Sequence, residues 1–354
     1  MKKRFFGCIA LGVMLLLAPS CAKNGSDDAA VTTGAFVLNE GSAYKNNSNV
    51  GLYDPAAKQF SPDRFAAVNG KGLGDTGNHM LVLTDKVFIA VNISQVISVT
   101  DLDLKEIKNI KLNHEGTDLS PRYLAQGGGK VYVSCYEGYL AEIDPIDYSV
   151  RYTKVGRSPE GVAYADGKIY VANSGGADYP VFDKTVSVVD AASFKESLII
   201  QVNLNPKFVV ADKTQKMVYV SSIGDYGANP AKLEVIEVAS GKCSAVAYDN
   251  VASISLGKDN KLYVMTGEYD ASWKMQGKVF VHDAAANSKL GEFVKDGTAL
   301  ANAYSLSADP YSGNVYVGCS DYQNTGDMIV FDPQGRKYDS FDTGGLNPGG
   351  VFFK

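Results

Sequence analysis

The feature that most constrains the fold is a short apolar strand that recurs seven times along the chain. The copies alternate Val, Ile or Leu with an aromatic residue, and they occupy residues 36–38, 86–89, 130–133, 168–171, 217–220, 261–264 and 314–317. Successive copies begin between 38 residues (Lys130 to Lys168) and 53 residues (Lys261 to Asn314) apart. This period is close to the length of one four-stranded blade of a β-propeller.

A second strand follows each copy after a loop of variable length. These second strands end in Asp or Glu and cover residues 50–54, 96–101, 140–144, 186–190, 233–237, 279–283 and 329–332. Turn sequences such as Asp54-Pro55 and Asp144-Pro145 come directly afterwards. No stretch has the sustained 3.6-residue apolar period of a long helix. The pattern therefore predicts an all-β, seven-bladed β-propeller.

The two ends of the repeated region indicate how the ring closes. We name the strands of a blade A to D, with the recurrent strand as B. The first blade has no A strand before residue 36, whereas residues 344–353 parallel residues 156–164, which supply strand A of the fourth blade. We therefore predict that the C-terminal strand pairs with the N-terminal strands, which removes two free sheet edges.

The N-terminus predicts export and a lipid anchor. Lys2, Lys3 and Arg4 precede an apolar run, and small residues stand directly before Cys21. This resembles a lipobox, so we expect residues 1–20 to be a lipoprotein signal peptide and Cys21 to be acylated. Residues 21–33 are rich in Asn, Gly, Ser and Asp and predict a flexible tether, and residues 34–354 form the propeller. A secreted protein without lipid is the alternative.

The charge argues against a nucleic-acid partner, and the cysteine spacing argues against a disulfide framework and a zinc site. The net charge of −5 becomes about −8 once the signal peptide is removed, and no basic stripe is present. We therefore expect no nucleic-acid partner. Cys135, Cys243 and Cys319 show no CxxC spacing, so neither a disulfide framework nor a zinc site is indicated.

The loops on one face predict a binding surface. In a propeller the B–C and D–A loops emerge together, and we call that side the loop face. Aromatic residues stand among Asn, Gly, Asp and Ser in nearly every one of these loops: Tyr44, Tyr136, Tyr179, Phe182, Tyr226, Tyr269, Trp273, Tyr304 and Tyr322. Tyr and Trp combine a large contact area with a polar group. We predict that these residues bind a large, partly polar ligand.

Catalytic patterns are weak. His79 and His114 fall in predicted D–A loops and His282 on a C strand, with no recognisable Ser/His/Asp or Cys/His arrangement. The carboxylates Asp178, Asp183, Asp225, Asp270 and Asp321 leave a calcium-dependent hydrolase open, although no dedicated calcium loop is present. We expect a binding protein rather than an enzyme, with no cofactor. Metal binding stays undecided.

The lipobox, the acidic tether, residues 36–41 and the Lys-x-Tyr-Val-x-Asn strand at residues 168–173 resemble the YncE-like propeller lipoproteins of Bacteroidetes. The resemblance covers nearly all of the mature chain. It implies a lipid-anchored protein on the exterior of the outer membrane that captures cobalamin or a related corrinoid as its ligand. It also implies a TonB-dependent outer-membrane transporter as the partner that receives the vitamin. A glycan-binding or glycan-processing surface propeller is the alternative, because exposed aromatic residues also stack on sugars.

Overall fold

The computed structural model of this chain describes residues 31–272 and 274–354. The predicted signal peptide, Cys21, most of the predicted tether and Trp273 lie outside the described residues. Seven antiparallel sheets form the body of the described chain, each with its strands in the spatial order A, B, C, D. The prediction of a seven-bladed β-propeller is confirmed. Within the described ranges, no helix combines the length and apolar character needed to cross a membrane.

The strand bounds follow the repeat found in the sequence. Blade 1 contains Pro348–Phe353, Ala35–Asn39, Asn49–Asp54 and Gln59–Ser61; blade 2 contains Gly77–Val82, Val87–Val91, Val96–Thr100 and Glu106–Lys111. Blade 3 contains Pro121–Gly127, Lys130–Cys135, Tyr139–Ile143 and Val150–Lys154; blade 4 contains Pro159–Ala165, Lys168–Asn173, Thr185–Asp190 and Lys195–Gln201. Blade 5 contains Pro206–Ala211, Met217–Ser222, Lys232–Glu237 and Cys243–Asp249. Blade 6 contains Val251–Leu256, Lys261–Tyr269, Met275–Asp283 and Ser288–Glu292; blade 7 contains Ala303–Ala308, Val315–Cys319, Asp327–Phe331 and Lys337–Asp342.

Few elements lie outside the blades. The short strand Leu300–Ala301 pairs with strand C of blade 6, and Asn113–His114 pairs with Thr117–Asp118 in a small hairpin. The α-helix Arg64–Asn69 and the 3₁₀ turns Gly176–Asp178 and Lys258–Asn260 are the helical segments of the described chain. The α-helix is capped at both ends. Asp63 accepts the amide hydrogen of Ala66, and Gly70 closes the helix with a φ of 66°.

The C-terminal strand closes the ring, as predicted. Strand A of blade 1 pairs antiparallel with Ala35–Asn39 and places Val351 opposite Val37. Backbone hydrogen bonds between Thr33 and Lys354 (2.8 Å) and between Lys354 and Gly34 (3.0 Å) extend this pairing beyond the strands. The pairing shields an edge of strand B that would otherwise expose unpaired amide and carbonyl groups.

The core lies between neighbouring blades. The B strands are buried on both faces, because each blade packs against one neighbour on either side. This explains their continuous apolar runs, which lack the strict alternation of a strand with one solvated face. Their tyrosines, each at most 2 % exposed, recur at one position in five blades: Tyr132, Tyr170, Tyr219, Tyr263 and Tyr316.

The inner strands share a local irregularity where they begin. Each A strand shows a register shift within its first few residues. The residue before the strand has a positive φ in six blades, at Thr76, Ser158, Asn205, Asn250, Asn302 and Asn347. A bulge changes the direction of the side chains that follow it. The first residues of the A strands therefore come together around the mouth of the central channel.

Candidate functional site

The central channel opens into a cavity of about 470 Å³ that is lined by the inner strands of all seven blades. Both apolar side chains, such as Val162 and Val351, and polar side chains line the cavity. The polar set includes Asn78, Lys207 and Tyr304 from the beginnings of A strands, and Glu40 from the B–C loop of blade 1. The mouth therefore offers donors, acceptors and charges in one place, which suits recognition of a polar ligand group.

A buried ion pair stands at one side of the mouth. Arg122 donates from Nε to Glu160 Oε2 and from Nη2 to Oε1, both at 3.0 Å. The Tyr136 hydroxyl donates to Oε1 at 3.0 Å, and the guanidinium lies 4.6 Å from the centroid of its ring. Burial opposes the charged form of Arg122, but the Glu160 carboxylate reverses this and raises the pKa of Arg122. This bidentate pair fixes the orientation of both side chains beside the mouth.

A second carboxylate, Glu40, lies across the mouth. The Tyr304 hydroxyl donates to Glu40 Oε2 at 2.8 Å. Burial raises the pKa of Glu40, and the Lys207 ammonium acts in the opposite direction. The pKa of Tyr304 is raised by burial and by the same carboxylate. Glu40 is therefore a half-buried hydrogen-bond acceptor that lines the cavity.

One of the three histidines, His79, does not lie where the sequence analysis placed it, whereas His114 lies in a D–A connection and His282 on a C strand, as predicted. His79 belongs to strand A of blade 2 rather than to a D–A loop, and its ring contacts Tyr123 (5.2 Å) and Phe352 (4.9 Å between centroids). Its Nδ1 accepts the amide hydrogen of Leu124 at 3.3 Å. Burial lowers the pKa of His79 to about 4, so the ring is neutral at pH 7. His79 is thus an uncharged wall of the channel.

The other two histidines are structural. His114 sits in the small hairpin between Tyr139 and Tyr152, with ring centroids at 4.8 and 5.0 Å. His282 is buried in strand C of blade 6, where Nε2 lies 3.0 Å from Asn287 Oδ1. Across residues 31–272 and 274–354, no three His, Cys, Asp or Glu side chains are grouped so that they could hold a metal ion.

The loop aromatics of blades 4 and 5 meet above the mouth. Phe182 contacts Tyr179 at 5.8 Å and Tyr226 at 6.0 Å between ring centroids, both edge to face. Tyr179 and Tyr226 are 72 % and 75 % exposed. They form a patch with a large free aromatic surface, and such a surface adds contact area at low entropic cost when a ligand binds.

A second group of aromatics lies on blades 6 and 7. Tyr322 contacts Tyr304 edge to face at 5.6 Å. The pKa of Tyr322 is raised by burial and by the neighbouring Tyr269, Glu40 and Tyr226 groups. Tyr226 also raises the pKa of Tyr136. We call Tyr179, Phe182, Tyr226, Tyr269 and Tyr322 the aromatic rim.

The remaining predicted residues have separate positions. Tyr44 on blade 1 is 84 % exposed, and its backbone amide donates to Asp75 at 3.1 Å. No aromatic ring of the described residues contacts Tyr44. Tyr136 and Tyr304 belong to the mouth rather than to the rim, because their hydroxyls bond to Glu160 and Glu40. Trp273 lies outside the described residues.

The loop carboxylates organise the rim. Asp225 accepts the backbone amides of Gly227 and Asn229, both at 2.9 Å, and Asp321 accepts those of Gln323 and Asn324. Asp270 repeats the arrangement in blade 6. These amides lower the pKa of Asp321 to about 2. Asp178 is instead paired with Arg157 at 2.6 Å, and Asp183 accepts from Lys184 and Thr185.

The adjacent tyrosines are held in an unusual backbone conformation. Tyr226 and Tyr322, each directly after one of these aspartates, have φ values of 61° and 62°. Bulky residues rarely adopt this left-handed region without local hydrogen bonds that enforce it. The aspartate turns thus fix the direction of two rim tyrosines before any ligand arrives.

Comparison with solved structures gives the same architecture. A putative 6-phosphogluconolactonase from Bacteroides fragilis is similar with a TM-score of 0.62 and 13 % identity, over 93 % of this chain and 99 % of that chain. The Kuenenia stuttgartiensis hydrazine synthase is similar with a TM-score of 0.58 and 16 % identity, over 72 % of this chain and 76 % of that chain. At such identities the likeness shows the fold alone. No protein-family model and no curated protein sequence matches this chain.

The charged residues of the mouth are absent from the sequence-based site. Arg122, Glu160 and Lys207 each follow a proline at the beginning of an A strand, within Ser-Pro-Arg, Ser-Pro-Glu and Asn-Pro-Lys. The recurrence of a charged residue after this proline is a signal that could have identified them. Glu40 has no such signal, because it reaches the mouth from a loop.

Proposed function

We propose that this chain is a surface lipoprotein that captures a corrinoid, cobalamin or a close relative, on its loop face and passes it to a TonB-dependent outer-membrane transporter. The observation that carries the proposal is the aromatic rim around a polar cavity mouth. A corrinoid is a flat macrocycle edged with amide side chains. The rim offers aromatic faces and edges for the macrocycle, and the mouth offers Glu40 and Asn78 for the amides.

Preorganisation also favours a binding role. The aspartate turns hold Tyr226 and Tyr322 in place, so fewer side chains and loops need to be ordered when the ligand arrives. A lower ordering cost leaves more of the contact energy as affinity. We place binding ahead of catalysis because Glu160 is saturated by Arg122 and the loop aspartates are engaged by backbone amides.

The position of the N-terminus is compatible with this role. Thr32 donates from Oγ1 to Asp309, which directly follows strand A of blade 7, and Thr33 pairs with Lys354. The chain therefore joins the propeller on the face opposite the loop face.

The test uses the mature chain with Cys21→Ser, which removes the acyl acceptor. Calorimetric titration with cyanocobalamin should show tight one-to-one binding. A Tyr226→Ala and Tyr322→Ala double variant should weaken binding at least about tenfold, since buried aromatic anchors dominate such contacts. Tyr338→Ala is the matched control, because Tyr338 lies on the outer strand of blade 7 beside Lys58.

Two results would count against the proposal. Tight binding that the double variant does not change would move the site away from the rim. No binding at high micromolar cobalamin would remove the corrinoid and favour the second candidate, a glycan-binding or glycan-processing propeller. The exposed patch around Tyr179 and Tyr226 is the observation behind that candidate, since aromatic rings also stack on sugars.

A further inference from the structure

One cation at the mouth of the central cavity has no anionic partner of its own. Lys207 follows Pro206 in strand A of blade 5 and lines the cavity. Its side chain is half-buried. Within residues 31–272 and 274–354, no carboxylate oxygen lies within 4.0 Å of its Nζ, and no acceptor forms a hydrogen bond with it. Its close contact is with the ring of Phe208, whose centroid is 5.3 Å from Nζ.

The other charges at the mouth are engaged elsewhere. Glu160 receives two hydrogen bonds from Arg122 and a third from Tyr136. Glu40 accepts from Tyr304, and although Lys207 lowers its pKa, the two charged groups are more than 4.0 Å apart. An ammonium group has three donors. In Lys207 all three remain available to a ligand.

The space beside Lys207 is open. At the position where blades 3 and 4 carry Arg122 and Glu160, blade 6 carries Ala252, whose side chain is a single methyl group. The following residue, Ser253, also lines the cavity, and its hydroxyl has no hydrogen bond within the described chain. A ligand group in this gap would meet the Lys207 ammonium and a free hydroxyl donor.

We propose that this gap binds a phosphodiester monoanion of the ligand, with Lys207 as the charged donor and Ser253 as a neutral one. The inference rests on the proposed function, because cobalamin carries one phosphodiester in its nucleotide arm and cobinamide carries none. A charge-assisted hydrogen bond is stronger than a neutral one, and partial burial strengthens it further. Lys207 therefore distinguishes complete corrinoids from those without the nucleotide arm.

The experiment compares two ligands on matched variants of the Cys21→Ser chain. Lys207→Met keeps the length of the side chain and removes its charge. It should weaken cyanocobalamin binding by roughly ten- to a hundredfold, the usual effect of losing a hydrogen bond to a charged group. Dicyanocobinamide binding should change by less than about threefold. Lys232→Met is the control, because Lys232 lies on the same blade but is paired with Asp249 at 2.5 Å.

The outcomes separate this inference from the proposed function. Equal losses for both ligands, or no loss for either, would overturn the phosphodiester site while leaving corrinoid capture intact. If the unaltered chain binds neither ligand, the proposed function fails and dimethyl phosphate becomes the probe. A saturable shift of the Lys207 NMR signal with dimethyl phosphate, absent with neutral trimethyl phosphate, would retain the anion site. No such shift would remove it.

Discussion

Two sets of tyrosines in this chain have opposite roles. The core set lies on the B strands and is at most 2 % exposed: Tyr132, Tyr170, Tyr219, Tyr263 and Tyr316. The rim tyrosines Tyr179, Tyr226 and Tyr322 follow in the B–C loops, Tyr269 ends the B strand of blade 6, and all four are at least 58 % exposed. Tyr316 and Tyr322 are only six residues apart in one blade. The position within the repeat, and not the residue type, therefore determines whether a tyrosine is buried or exposed.

The environments of the two sets differ in measurable ways. Burial raises the pKa of Tyr132, Tyr170 and Tyr263 to about 12. The Tyr219 hydroxyl donates to the carbonyl of Ala284 at 3.0 Å, on the neighbouring blade. The core set therefore contributes packing and hydrogen bonds between blades. The rim contributes free surface, supported by local turns that do not depend on blade packing.

Removal of residues 348–354 should have the largest effect, because it opens the ring that encloses the core set. Val351, Phe352 and Phe353 would lose their packing, worth about 1.5–3 kcal/mol each when fully buried, together with the strand pairing to Ala35–Asn39. We expect loss of cooperative thermal unfolding, measured by circular dichroism. Removal of Lys354 alone is the control. A cooperative transition near the original temperature in the truncated chain would contradict ring closure as the basis of stability.

Tyr219→Ala should lower the free energy of unfolding by about 3–5 kcal/mol, because it leaves a cavity between blades 5 and 6. Tyr219→Phe should cost about 1–2 kcal/mol, since it removes the hydrogen bond to Ala284 and the longer hydroxyl contacts with Asn287 (3.4 Å) and His282 (3.5 Å). Urea denaturation measures both values. A cost below 1 kcal/mol for the alanine variant would show that the core set is not what joins the blades.

His79, which lines the central cavity, should make the stability of the fold depend on pH. Its folded pKa of about 4 is below the unfolded value of about 6.5. The unfolded chain therefore takes up the proton first. The contribution of neutral His79 is complete above pH 6.5 and is lost as the pH falls from 6.5 to 4, by at most about 3 kcal/mol. The free energy of unfolding, measured by urea denaturation between pH 4 and 6.5, should depend less on pH in His79→Gln than in the unaltered chain. The same pH dependence in both proteins would refute the prediction.

Tyr226→Ala should have the smallest effect on stability of these changes, in contrast to the change at the buried Tyr219. The side chain is 75 % exposed, so the free energy of unfolding should change by less than about 0.5 kcal/mol. Urea denaturation beside Tyr219→Ala gives the comparison under one set of conditions. A loss above 2 kcal/mol would assign Tyr226 to the structural framework and not to a binding surface.

The beginnings of the B strands could be located from the sequence to within one residue. Lys168–Asn173 and Lys130–Cys135 coincide with the recurrent apolar pattern, because strands buried on both faces tolerate few substitutions by polar residues. The inner strands were harder to interpret. His79 was assigned to a loop, since Gly77 and Asn78 are typical loop residues, whereas in the fold they form the bulged beginning of strand A.

The candidate site was likewise predicted only in part. Aromatic residues in polar loops are visible as local composition, so the rim residues were in the sequence-based prediction. Their contacts were not, because Phe182 and Tyr226 belong to different blades. The mouth depends on residues far apart in the chain. Glu40 and Tyr304 are 264 positions apart and share a hydrogen bond.

Three features could be predicted from the sequence alone: the blade count, the closing of the ring by its last strand and the face that carries the aromatic loops. These follow from local periodicity, which repeats in every blade. The folded chain was needed to show which charges meet at the channel mouth, that Arg122 pairs with Glu160, and that Lys207 has no hydrogen bond or ion pair within the described residues. The physical reason is that a propeller brings the beginnings of seven distant strands together at one axis, and no local pattern contains those distances.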